Sequence, residues 1–160
     1  MIVRTKGAIL GVCFASLALA TTASAQTALP GGLQITLQPG YAYVPKQGFD
    51  SVVGVLEKKD GLTIMFEMGS IPAPGAPRFG GSFANQAQQM RDIQREWLKE
   101  FEAGGRKISV AYSKDKQITV STMTDKEGVN FSAIAKTPAD VADVLIMALT
   151  LGPQKAKAEK

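Results

Sequence analysis

The chain has 160 residues, a formal net charge of +4 and no histidine, and its single cysteine, Cys13, sits near the N-terminus. Residues 26–160 therefore hold neither His nor Cys, which excludes a Ser-His-Asp triad, a Cys-His pair, the usual zinc sites and a disulfide. The basic excess is weak and spread out, whereas a nucleic-acid binder clusters its Lys and Arg, so no nucleic-acid partner is expected.

Arg4 and Lys6 precede an uncharged apolar run from Gly7 to Ala20, and Thr21 to Ala25 closes with an A-x-A pattern. That order predicts a signal peptide over 1–25, cleavage after Ala25 and a periplasmic or secreted location. The run is shorter than the roughly 18–20 residues a membrane anchor needs, so no stable anchor remains after cleavage. A lipoprotein reading fails because Val12 precedes Cys13 and Cys13 lies inside the apolar run. Cleavage also removes Arg4 and Lys6, roughly halving the excess charge, and leaves a length suited to one domain.

Gln26 to Gly32 reads as a linker. Leu33, Ile35 and Leu37 alternate with polar residues as in a half-buried strand, and Tyr41 to Val44 forms a second extended piece after Pro39-Gly40. Ser51 to Glu57 and the alternating Leu62, Ile64, Phe66 and Met68 flank Lys58 to Gly61, which predicts a β-hairpin. Ser70 to Gly81 is rich in Pro and Gly and reads as a loop. Phe83, Ala87, Met90, Ile93, Trp97 and Phe101 then recur at spacings of three and four, which predicts a long helix burying Trp97 and stopping at Gly104-Gly105. Three strands follow around Ile108–Tyr112, Ile118–Thr122 and Val129–Ala133, joined by short polar turns. Thr137, Pro138 and Asp140 open a final helix whose buried face is Val141, Val144, Leu145, Ala148 and Leu149. Gly152-Pro153 stops it, leaving 33–153 as a single domain and 154–160 as a polar, Lys-rich tail. The fold class is α+β: an antiparallel sheet of hairpins and a meander with two main helices packed on it.

No phosphate-binding glycine motif is present, and no cofactor or metal is signalled. Asp50 and Glu67 stand at strand ends, where a pair of carboxylates would serve as acid and base of a hydrolase; both also suit a solvent-facing strand. The charged residues from Asp92 to Glu102 read as a solvated helix face. The Ser70–Gly81 loop is long enough to ask for a role, and Arg78-Phe79 within it offers a charge and a ring of the kinds enriched at interface hot spots. A stiff crossover path is the bland alternative.

Leu33 to Tyr43 (LQITLQPGYAY), Asp50-Ser51, Asp60 to Gly69 (DGLTIMFEMG) and Ala142 to Pro153 (ADVLIMALTLGP) together resemble the PsbP-like α/β sandwich group. The resemblance implies a central antiparallel sheet with helices on its faces and a binding or accessory role. The plant photosystem subunit of that group assists metal retention through its complex, yet no metal-binding residue carries over to this His-free chain. The leading expectation is thus a non-catalytic domain that binds an unidentified protein or small molecule of the envelope. Its candidate contacts are Arg78, Phe79, Asp50 and Glu67. The rivals are the carboxylate hydrolase and an envelope structural protein whose Lys155, Lys157 and Lys160 touch an anionic surface.

Overall fold

The computed structural model describes residues 26–48, 51–59, 61–73, 75 and 81–154; the leader, Asp50, Asp60, Arg78, Phe79 and the tail lysines lie outside them. Seven strands form one antiparallel sheet: β3 (Tyr41–Lys46), β4 (Val52–Lys58), β5 (Thr63–Ser70), β6 (Arg95–Ala103), β7 (Arg106–Ser113), β8 (Gln117–Met123) and β9 (Glu127–Ile134). Their spatial order is β3-β4-β5-β9-β8-β7-β6. A smaller sheet, β1-β2-β10, joins β1 (Gln26–Leu29) and β2 (Leu33–Thr36) to β10 (Gly152–Pro153). Two α-helices complete the set, α1 (Gln86–Gln89) and α2 (Pro138–Leu149). The result is the α+β arrangement of antiparallel strands and two helices.

The period-two alternation decides which way each strand faces. Phe66 pairs with Phe131, Phe131 with Val120 and Val120 with Val110, so one row of apolar side chains crosses four strands. All four are at most 2% exposed. α2 packs over β8 and β9 on this face and also meets β2, whose Leu33 and Ile35 join the same core. The hairpin β4–β5 and the meander β7–β8–β9 are therefore as the sequence predicts.

The helix expected across Phe83 to Phe101 is not formed. α1 is a single turn that ends where Met90 goes extended (φ −60°, ψ 120°), and residues 95–103 form β6, paired along β7. Trp97, Lys99 and Phe101 also satisfy a period of two, and that period governs because β6 completes the sheet's ladder of hydrogen bonds. Gly104 and Gly105 both have positive φ (58° and 73°), which is the two-residue hairpin turn matched to strand twist, not a helix cap. Ile93, placed on the buried stripe by its spacing, is 74% exposed, and Phe101 is 42% exposed. Trp97 is only partly buried, packed against the edge of the core.

Three smaller differences have equally local causes. Gln26–Leu29, expected to be a linker, pairs with β2 because Leu29 anchors it in the core at 3% exposure. Leu149 faces outward, while Val144, Met147 and Ala148 point inward and Val141 and Leu145 are partly buried. Gln154, expected in a free tail, is held by its backbone N–H on the Gly32 carbonyl and by its amide on Leu29 and Leu33 carbonyls. α2 begins as predicted, with Thr137 and Asp140 forming a reciprocal capping box and Pro138 at the first position.

Candidate binding site

The opposite face of the large sheet is built from a polar row. Glu67 pairs with Asn130, Asn130 with Ser121, Ser121 with Ser109 and Ser109 with Glu100, so these five side chains cross five strands in register. Each lies one residue along its strand from, or directly beyond, the apolar row on the other face. The segment carrying α1 lies across them. Ser121 Oγ donates to Asn130 Oδ1 at 2.6 Å and accepts the Ala87 N–H at 3.0 Å. Asn130 accepts the Gln86 N–H and donates from Nδ2 to the Ala84 carbonyl at 2.9 Å. Asn85 donates to Ser109 Oγ at 3.0 Å and caps α1 by accepting the Gln88 N–H at 3.1 Å.

The two ends of the row are carboxylates held by glutamine amides. Gln86 Nε2 donates to Glu67 Oε2 at 3.0 Å, and Gln88 Nε2 together with Ser109 Oγ donates to Glu100 Oε1. Among the described residues no buried side-chain nitrogen or oxygen lacks a partner, so the burial of Ser109, Ser121 and Asn130 carries no unmet desolvation cost. Only Ala87 is buried on α1. Hydrogen bonds therefore supply most of what fixes this turn to the sheet.

Two glycines set how closely the preceding loop approaches. Gly69 and Gly128 are register partners on β5 and β9. A Cβ on Gly128 would stand 2.4 Å from the Phe83 ring, and one on Gly69 would stand 2.6 Å from the Phe83 backbone nitrogen. Their lack of side chains lets Phe83 lie against the strands, and Phe83 N–H donates to the Ser70 carbonyl at 2.8 Å. The chain leaving β5 is fixed in turn by Ile71 N–H on the Lys126 carbonyl at 2.8 Å.

Ile71–Ala73 consequently stands out as a wall between two clefts. One, of about 420 Å³, is lined by Phe83, Asn85, Gln88, Gln89 and Met123 and bears no charged side chain among the described residues. The other, of about 590 Å³, shares Ile71, Pro72, Ala73 and Met123 and adds Glu102, Arg106, Lys107 and Asp125. Arg106 there is 7% exposed and committed to Glu127 at 3.2 Å and Thr122 at 3.3 Å, which leaves Lys107 as the more accessible cation. The pair offers amide hydrogen bonding with apolar surface on one side and balanced charge on the other. That combination suits binding a polar or peptide-like group.

Of the residues singled out from sequence, Glu67 lies partly buried in β5 with its carboxylate on Gln86. Asp50, Arg78 and Phe79 fall outside the described residues, so Glu67 is the one member of the carboxylate pair with a described position. Sequence reasoning missed Asn85, Gln88, Gln89 and Met123. A usable signal was present in the Asn85-to-Gln89 run, where an Asn followed by good helix formers marks a helix start. Among the described residues no group of three or more His, Cys, Asp or Glu is placed to hold a metal ion, and no helix is long and apolar enough to cross a membrane.

Among solved structures, the chain is similar to the solution structure of cyanobacterial PsbP (CyanoP) from Synechocystis sp. PCC 6803, with a TM-score of 0.57 at 10% identity. The match covers 90% of this chain and 98% of that one. No protein-family model matches the sequence, and no curated protein matches it. The chain thus has a PsbP-like fold, and at this identity the likeness establishes the fold alone.

Proposed function

We propose that the protein is an exported, non-catalytic binding or accessory domain that takes a protein or small-molecule partner of the cell envelope in the clefts beside Ile71–Ala73. The observation that carries this reading is the shared wall: one short segment lines two clefts of about 420 and 590 Å³. Those volumes fall in the range typical of ligand sites. The wall belongs to the Ser70–Gly81 segment that the sequence marks by its length and its prolines. Export rests on the leader, with its Arg4–Lys6 charge, apolar run and A-x-A ending. The hydrolase reading loses ground because Glu67, its one described member, is tied to Gln86 beneath the α1 segment.

The test is a blocked cleft. Ala73 is exposed and lines both clefts, so Ala73→Trp sets a bulky ring on their shared wall while changing stability by less than about 0.5 kcal/mol. Capture from envelope extract by the chain cleaved after Ala25 should yield a partner that Ala73→Trp loses, with the urea midpoint unchanged. Equal capture by both proteins would remove the clefts from the account.

A further inference from the structure

A separate cleft lies on the other face of the large sheet, away from Ile71–Ala73. Trp97 on β6 and Tyr112 on β7 are register partners, and their rings stack at 5.7 Å between centroids with 18° between planes. Across from this stack stands the first turn of α2. Lys136, Thr137, Pro138 and Val141 complete a cleft of about 280 Å³. Such a volume is at the small end for ligand sites and suits a ligand of one or two rings.

The polar groups in the cleft favour an anion. Lys136 is exposed and forms no salt bridge among the described residues. The nearest acid on α2 is Asp140, and its Oδ2 is already occupied by the backbone N–H groups of Lys136 at 2.8 Å and Thr137 at 2.9 Å. Tyr112 spends its hydroxyl on the Ala135 carbonyl at 3.3 Å, which fixes the ring and leaves its surface for contact. The cleft therefore presents aromatic and aliphatic surface with one available cation at its rim.

We propose that this cleft binds a small aromatic carboxylate, its ring laid against Trp97 and Tyr112 and its carboxylate on the Lys136 ammonium. Ring stacking supplies the affinity and the lysine sets the preference for acid over neutral analogue. The site is independent of the clefts at Ile71–Ala73.

Trp97 is the single tryptophan of the chain, so selective excitation of tryptophan reads this site alone. The chain cleaved after Ala25 is titrated with phenylacetate, 2-phenylethanol and cyclohexylacetate through the millimolar range. The expected result is a saturable change in Trp97 emission with phenylacetate. 2-Phenylethanol should bind about fivefold more weakly, the worth of one solvent-accessible charge pair. Cyclohexylacetate, which has no planar ring, should also be weaker. Lys136→Gln should bind acid and alcohol alike while keeping the same unfolding midpoint. A linear, unsaturable response to phenylacetate would overturn the site. Equal affinity for acid and alcohol in the parent protein, or an unchanged preference in Lys136→Gln, would overturn the role of the lysine. Equal affinity for cyclohexylacetate would overturn the ring contact.

Discussion

The two faces of the large sheet are made by neighbouring residues of the same strands yet are held by different forces. On β9, Phe131 points to the α2 side and is fully buried, while Asn130, one residue before it, points to the α1 side and bonds three groups. β8 repeats the contrast in Val120 and Ser121, and β7 in Val110 and Ser109. The α2 face gains from non-directional apolar burial, which tolerates substitutions that conserve volume. The α1 face depends on directional bonds, each of small net worth but costly when one partner is left alone. One face should govern whether the chain folds, and the other should govern where a single short turn sits.

Substitutions at adjacent positions break this comparison most directly. Phe131→Ala removes the centre of the apolar row and should cost about 3–5 kcal/mol, read as a large fall in the urea midpoint. Asn130→Ala leaves Ser121 and the Gln86 N–H without their acceptor and should cost about 1–3 kcal/mol. The second variant has a further signature: amide exchange should speed up at Gln86 to Gln89 while β8 and β9 stay protected. Equal loss of protection across the sheet would show that the two faces unfold as one unit. Thr137→Ala disturbs only the end of α2 and should cost about 1 kcal/mol through the lost cap, with exchange changes confined to the first turn of that helix.

The same contrast explains what the sequence made legible. Strands buried on one face and paired by short turns announced themselves through alternation, and the capping box at Thr137 announced α2. β6 did not, because it is an edge strand with one neighbour, and its outer positions hold Glu96, Lys99, Glu100 and Glu102. Such an edge is protected by charge and so shows only a weak alternation of apolar residues. Trp97 and Phe101, four apart, fit a helix and a strand alike, and only the Gly104-Gly105 turn distinguished the two. The polar row was harder still to read. Ser109, Ser121 and Asn130 look like ordinary solvent-facing positions of their strands until the α1 segment covers them. Of the candidate site, the sequence pointed to the loop that forms the wall, but the residues opposite it are brought there by pairing across strands distant in the chain.

The small sheet carries a consequence for the order of events during folding. β2 pairs with β10 through Gly152 and Gln34, and Thr36 N–H donates to Thr150 Oγ1, contacts that span more than a hundred residues of chain. Closing so large a loop is entropically unfavourable, and pairings this distant in the chain slow folding. A chain emerging N-terminus first holds β2 with one side unpaired until Gly152 and Pro153 arrive. During that interval β2 is an open strand edge that another chain can pair with, and Gly152 to Gln154 act as the latch that ends the exposure.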